Sequence, residues 1–126
     1  MSLVSWFNQF YKYVERSHPS ANAQALYLYI LHEYNAQRFK GPYDEWCFPS
    51  LVSLPSKQIM EAMGWTDRRR LYEARDELSR RRLLIFYPGD GREATVYEIA
   101  EEEKIKRVMK EDEEKRIQAI FDGINQ

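Results

Sequence analysis

The chain has 126 residues, which fits one domain with an added helix at either end. Hydrophobic residues make up 44% of it and aromatic residues 14%, which excludes global disorder despite 31% charged residues. The net charge of -1 excludes a uniformly basic protein, so any nucleic-acid-binding surface must be a local concentration of positive charge.

The sequence also bears on the cellular setting. No apolar run approaches the length that crosses a bilayer, and the N-terminus lacks the basic segment and apolar stretch of a secretory signal. Cys47 is the only cysteine, so an internal disulfide is impossible. We therefore expect a cytoplasmic protein in a reducing compartment, without a membrane partner.

Two amphipathic helices are predicted at the start of the chain. Residues 4–15 carry an apolar stripe at helical spacing, made of Trp6, Phe7, Phe10, Tyr11 and Val14. After the break at Ser17-His18-Pro19, Ser20 is a suitable N-cap for the second helix, which ends near Arg38. The core stripe of this second helix is Ala23, Tyr27, Ile30, Leu31 and Tyr34.

Residues 40–55 are predicted to form a loop with a short edge strand. Three prolines, Pro42, Pro49 and Pro55, exclude a regular helix. The apolar pairs Cys47-Phe48 and Leu51-Val52 leave room for the strand. We expect Trp46 to anchor this loop by burial.

A short helix and a tight turn follow the loop. Ser56 is predicted to cap the helix, and its inward residues are Ile59, Met60 and Met63. Gly64 is placed to end it in the left-handed conformation that glycine adopts most readily, with Trp65 in the turn.

The next helix is predicted from about Asp67 to Arg81, with Thr66 as its N-cap. Leu71, Ala74 and Leu78 form its core stripe. Asp67 near the start and the arginines 80–82 near the end complement the helix dipole.

A β-hairpin is predicted after this helix. Leu83–Tyr87 forms one strand, which Pro88 stops, and Gly89-Asp90-Gly91 forms the turn. Thr95–Ile99 forms the returning strand. The order helix, short strand, helix, turn, helix, hairpin predicts an α+β fold, mainly helical with a small hairpin. We expect a winged helix-turn-helix with an added N-terminal helix and an added C-terminal helix.

The tail from Glu101 is predicted to be a charged helix. Its broken apolar stripe consists of Ile105, Val108, Met109, Ile117, Ile120, Phe121 and Ile124. The predicted organisation is a winged-helix domain with its leading helix over residues 1–100 and this helix over residues 101–126. The two terminal helices either pack on each other or form a dimer interface.

The predicted second helix of the helix-turn-helix carries the candidate DNA-binding residues. A reader of this type lays that helix in the major groove and presents its N-terminal residues to bases and phosphates. Arginine suits both because its planar fork makes two parallel hydrogen bonds. The candidate residues for double-stranded DNA are Lys57, Thr66, Arg68, Arg69, Arg70, Tyr72, Glu73 and Arg92.

Charge distribution favours the same segment. Residues 56–92 contain nine basic and six acidic residues, a balance of +3 in a chain whose total is -1. The alternative interpretation is a solvated helix face, with arginines paired to Asp67, Glu73, Asp76 or Glu77 along the helix. Each such pair contributes roughly 0.2–0.5 kcal/mol.

Several stretches together resemble a known family. They run from Asn22-Ala23-Gln24-Ala25-Leu26-Tyr27 through Gly64-Trp65-Thr66-Asp67-Arg68-Arg69-Arg70-Leu71 to Val96-Tyr97-Glu98-Ile99. Over about residues 5–100 the chain resembles the N-terminal winged-helix domain of phage replisome organisers, which are related to the DnaD primosome proteins. The resemblance implies a role in starting phage or mobile-element DNA replication. It also implies that this domain binds origin DNA or self-associates, and that a C-terminal part of such proteins recruits a helicase loader.

The sequence departs from the winged-helix pattern at two positions. Many winged helices have a glycine where Arg82 stands, so this residue is expected to stiffen the entry to the hairpin. Many have an apolar residue where Arg75 stands. Arg75 therefore either thins the core or adds a phosphate contact.

Other functions remain open at this point. A transcriptional regulator of the same fold, or an oligomerisation module without DNA binding, would share most of these features. An enzyme is not expected, because Cys47, His18 and His32 form no nucleophile–base or metal-ligand pattern and the glycines are scattered. We expect no catalytic residues, cofactor or metal.

Overall fold

The computed structural model describes residues 2–89 and 94–124 of the chain. It is mainly helical with small antiparallel sheets, which confirms the predicted α+β class. The elements in chain order are α1 (Leu3–Ser17), α2 (Ala21–Ala36), β1 (Phe39–Lys40), β2 (Trp46–Cys47), β3 (Val52–Leu54), α3 (Ser56–Met63), α4 (Arg68–Arg80), β4 (Leu84–Tyr87), β5 (Thr95–Ile99) and α5 (Glu102–Ile124).

The chain divides into two compact units. Residues 1–18 and 100–126 form the first unit, and residues 19–99 form the second. The leading helix α1 thus belongs to the same unit as the C-terminal helix α5, whereas the predicted organisation placed it in a domain over residues 1–100. The reason is that α1 packs against α5.

In the first unit, the buried face of α1 is rotated from the predicted stripe. Trp6 and Phe10 are buried as expected, but Gln9 and Tyr13 complete the face. Phe7 and Tyr11 are exposed, with their ring centroids 4.7 Å apart. The stripe prediction was wrong at these positions because adjacent aromatic residues lie 100° apart on a helix, and only one of each pair can face the partner.

The helices α1 and α5 run in parallel. The Ser5 hydroxyl donates to Glu102 Oε1 at 2.5 Å, and the Gln9 amide lies 3.3 Å from the sulfur of Met109. The Trp6 indole N–H donates to the Ala100 carbonyl at 3.0 Å. Contacts thus advance along both helices in the same direction.

The predicted apolar stripe of α5 is buried only in its first half. Ile105 and Val108 are buried, whereas the last four residues of the stripe are exposed: Ile117, Ile120, Phe121 and Ile124.

In the second unit, α2 follows its prediction closely. The Ser20 side chain accepts a hydrogen bond from the Ala23 amide at 3.1 Å, so Ser20 is the N-cap. All five predicted stripe residues are buried. The helix ends at Ala36, two residues before the predicted end.

Three antiparallel strands form a sheet in the order β3-β5-β4. The predicted hairpin is present, and β3 pairs with the other edge of β5, where Val52 is opposite Tyr97. The hydroxyl of Tyr34 on α2 lies 2.9 Å from the Ser50 carbonyl and accepts a bond from the Ile99 amide at 3.3 Å. Burial raises the pKa of Tyr34 to about 12. The hydrogen bonds of this hydroxyl join α2 to the sheet.

The predicted cap of α3 was wrong, and its predicted end was right. Pro55 is the N-cap residue and Ser56 is already helical, because the extended backbone of Pro55 supplies the carbonyl that Ile59 bonds at 3.3 Å. Gly64 has φ +71° and ends the helix in the left-handed conformation, as predicted. Ile59 is buried, and Met60 and Met63 are half-buried.

The ends of α4 also differ from expectation. Asp67 is the N-cap, because its carboxylate accepts from the Arg69 amide at 2.9 Å; Thr66 lies outside the helix. At the other end Arg82 has φ +63°, and the Leu83 amide bonds the Leu78 carbonyl at 2.9 Å. Arg82 therefore occupies the left-handed position where glycine is most favourable.

The loop prediction was right about the backbone and wrong about Trp46. Residues 40–55 contain no helix; they include β2, which pairs with β1 in a small hairpin, and the edge strand β3. Trp46 is 52% exposed. It is not buried because β1 and β2 pair with each other and are separate from the three-stranded sheet.

Glu77 is a half-buried carboxylate with strong donors. Its Oε2 accepts from the Ser20 amide at 2.9 Å and from the Arg81 guanidinium at 3.1 Å. Burial alone would raise its pKa, but the bonds from Ser20 and the charge of Arg81 outweigh burial and lower it.

We predict that Glu77→Gln lowers the free energy of unfolding at neutral pH by about 1–2 kcal/mol, because charge-assisted bonds are lost. The pKa is depressed in the folded state, so this stabilisation is present above the ordinary value of 4.5 and is lost as pH falls through the folded value. Urea unfolding at neutral pH and at about pH 3 measures it. Glu73→Gln, an exposed change on the same helix, serves as control; equal losses for both variants would contradict the assignment.

Candidate nucleic-acid interface

The core attachment of α4 determines which residues it presents to solvent. Leu71, Ala74 and Leu78 are buried as predicted, and α4 packs against α2, α3 and β4. Because this face of α4 is buried, the arginines 68–70 of its first turn are exposed to solvent. The sequence-predicted cluster is therefore on the surface at the N-terminal end of the helix.

Within the described residues, the three arginines differ in their ion pairs. Arg69 lies 3.6 Å from the Asp67 carboxylate and 3.8 Å from that of Glu73, and its side chain is 77% exposed. Such exposed pairs contribute about 0–1 kcal/mol, so a phosphate can replace them. Arg68 and Arg70 form no ion pair with the described part of the chain.

Arg75 lies in the core and makes no surface contact, so the phosphate-contact alternative for it was wrong. It is 6% exposed, and its Nη1 lies 3.2 Å from the Tyr97 hydroxyl and 3.4 Å from that of Thr95. Its Cζ lies 4.9 Å from the ring centroid of Tyr72 and 5.1 Å from that of Phe86. Burial raises the pKa of Tyr97 although the charge of Arg75 opposes it. The buried guanidinium of Arg75 thus packs against the ring of the exposed Tyr72.

The other candidate residues occupy varied positions. Lys57 is exposed in the first turn of α3, 3.9 Å from the Glu61 carboxylate. Thr66, Tyr72 and Glu73 are exposed in or next to the first two turns of α4. Arg92 lies outside the described residues, as does most of the predicted Gly89-Asp90-Gly91 turn.

The sequence interpretation missed a second cationic cluster. Arg38 and Lys40 lie over the ring of Trp46 on the β1–β2 hairpin, at 4.5 Å and 4.2 Å from its centroid. The available signal was the pair of cations, Arg38 and Lys40, just before the Gly41-Pro42 turn that leads to Trp46.

Residues 2–89 and 94–124 contain no group of three or more His, Cys, Asp or Glu that could hold a metal ion. No described helix is long and apolar enough to cross a bilayer. No family model, curated protein or solved structure matches the chain.

We predict that Arg75→Ala lowers the free energy of unfolding by about 2 kcal/mol or more, because it removes packing between two rings and leaves buried hydroxyls without a donor. Arg75→Met keeps most of the packing and costs less. Arg80→Ala, an exposed change one turn later, should alter stability by about 0.5 kcal/mol at most. Urea unfolding of the three variants measures these losses. A loss of unfolding free energy in Arg80→Ala as large as that in Arg75→Ala would contradict a core role for Arg75.

Proposed function

We propose that the second unit is a winged-helix DNA-binding domain that reads duplex DNA with α4. The element order α2-β3-α3-α4-β4-β5, with the β1–β2 hairpin between α2 and β3, and the sheet order β3-β5-β4 support this proposal. In this interpretation α3 and α4 are the helix-turn-helix, with Gly64 in its turn, and the β4–β5 hairpin is the wing.

One observation carries the proposal: the first turn of α4 presents exposed Arg68, Arg69 and Arg70 while the opposite face is fixed in the core. A major groove admits one helix, and its guanine edges accept paired bonds from an arginine fork. Tyr72 and Glu73 extend the same surface by one turn. Glu73 has the chemistry to accept a bond from a cytosine amino group.

The flanking residues have phosphate-binding roles in this proposal. Thr66 precedes α4 and offers a hydroxyl to the backbone, and Lys57 lies in the first turn of α3. Arg92, in the predicted wing, is assigned the same role from the sequence alone. These contacts position the helix and carry no sequence information.

The biological role rests on the resemblance to phage replisome organisers. The resemblance supports a role in initiating phage or mobile-element replication, a process in which such proteins recruit a helicase loader through a C-terminal part. Binding selection from random duplexes would separate this role from that of a transcriptional regulator, according to whether the selected site lies at an origin or at a promoter.

The test of duplex binding is a salt series with the protein and its Arg68/Arg69/Arg70→Ala variant. We expect the variant to bind about a hundredfold more weakly, because bidentate base contacts and phosphate contacts are lost. The slope of log affinity against log salt should fall by about 0.9 for each phosphate contact removed.

The matched control removes the same charge elsewhere. Arg107, Lys110 and Lys115 are exposed on α5, and their combined replacement by alanine should leave most of the affinity. Absence of duplex binding by the unmodified chain at low salt, or equal weakening in both triple variants, would refute the interface on α4.

A second candidate function is assembly through α5, and one observation favours it. Arg16 and Ser17 at the end of α1 line a groove with residues 109–116 of α5, and α5 continues beyond it. The continuing turns carry an exposed apolar stripe at helical spacing, made of Ile117, Ile120, Phe121 and Ile124. An unpaired stripe of this kind is typical of a helix that packs on a second copy.

We predict that light scattering at high concentration detects a dimer, and that Phe121→Glu converts it to a monomer by placing a charge in the apolar contact. Ala119→Glu adds the same charge on the opposite face of the helix and should leave the dimer intact. A monomeric mass for the unmodified chain at every concentration would exclude assembly by this stripe.

A further inference from the structure

The β1–β2 hairpin is closed by a three-residue loop. The Gly41 amide donates to the Glu45 carbonyl at 2.8 Å, and the Asp44 amide donates to the Gly41 carbonyl at 3.1 Å. Asp44 has φ +63°, the left-handed conformation that ends a turn of this length. This closure pairs Lys40 with Trp46 across the two strands.

One face of the hairpin collects an aromatic ring and two cations. Lys40 is directly opposite Trp46 in the strand pairing, and the guanidinium of Arg38, the residue just before β1, lies over the same ring. The Nζ of Lys40 and the Cζ of Arg38 lie within 4.5 Å of the ring centroid. Trp46 as a whole residue remains 52% exposed despite these contacts. We call these three residues the Trp46 platform.

The acidic residues of the hairpin are distributed unevenly between its faces. A Cβ at Gly41 would overlap the Glu45 carboxylate and meet the sulfur of Cys47, so Glu45 lies over Gly41 on the face opposite Trp46. There Glu45 accepts a bond from the Tyr43 amide at 2.8 Å. Within the described residues, Asp44 is the acid paired with the platform, at 3.7 Å from Lys40. The platform therefore carries net positive charge on a chain whose total is -1.

The platform is held in place before any ligand arrives. Arg38 donates to the Asn35 carbonyl at 2.8 Å, and Lys40 donates to the Asp44 carbonyl at 3.1 Å. Tyr43, at the tip of the loop, is 89% exposed and adds a second ring. Cations fixed beside an exposed ring reduce the entropy cost of binding a ligand that is both flat and anionic.

We propose that the Trp46 platform binds single-stranded nucleic acid, with a base stacked on the indole and neighbouring phosphates on Arg38 and Lys40. Single-strand sites combine aromatic stacking surfaces with positive charge in this way. A duplex cannot supply this stacking contact, because its base faces are covered by neighbouring bases. The proposal is independent of α4, which reads a duplex by its groove edges.

The experiment measures the affinity of the full chain for a labelled oligothymidylate of about twelve nucleotides by fluorescence anisotropy. We expect Trp46→Ala to weaken binding about tenfold or more. Phe7→Ala removes an exposed aromatic ring from α1 and should leave the affinity unchanged. Circular dichroism of both variants checks that the fold is retained.

A second variant and a second ligand test the two halves of the site separately. Asp44→Asn keeps a residue that tolerates the left-handed conformation and removes the acid beside Lys40, so binding should tighten about twofold. An abasic strand of the same length keeps the phosphates and should bind about tenfold more weakly.

The outcomes also separate this proposal from the one for α4. Arg68/Arg69/Arg70→Ala should leave oligothymidylate binding within about twofold, whatever its effect on duplex DNA. Unchanged affinity in Trp46→Ala, equal binding of the abasic strand, or no binding at low salt would overturn the proposal.

Discussion

The rotation of α4 about its own axis is the constraint on which the proposed interface depends. Burial of Leu71, Ala74 and Leu78 sets that rotation, and each contributes apolar area that the helix cannot recover by turning. Because a helix is rigid over three turns, the orientation of its first turn follows from contacts made by the later ones. The exposed arginines are thus positioned by residues that never meet a ligand.

Polar groups inside the second unit fix how its helices meet the sheet. The Tyr34 hydroxyl bonds backbone groups of the strand region, and the Arg75 guanidinium bonds the Tyr97 and Thr95 hydroxyls. Apolar contacts tolerate small shifts, whereas a buried donor left without its acceptor costs about 1–3 kcal/mol. These bonds therefore oppose shifts of α2 and α4 relative to the sheet.

Local signals predicted much of this fold, and long-range contacts explain the errors. The cap at Ser20, the end at Gly64 and the strand Thr95–Ile99 depend on nearby residues and were confirmed. Trp46 was expected in the core because large apolar residues are usually buried, and no local pattern reveals that its hairpin stands apart from the sheet. The burial of Arg75 likewise depends on partners about twenty residues away.

The pairing of α1 with α5 affects the order in which the chain can fold as it leaves the ribosome. Every residue of the second unit is synthesised between these two helices. A nascent chain can complete that unit while α1, with Trp6 and Phe10 on its apolar face, still lacks α5. At about 5–20 residues per second this interval lasts several seconds, and for that time the apolar face of the N-terminal helix has no α5 to pack against.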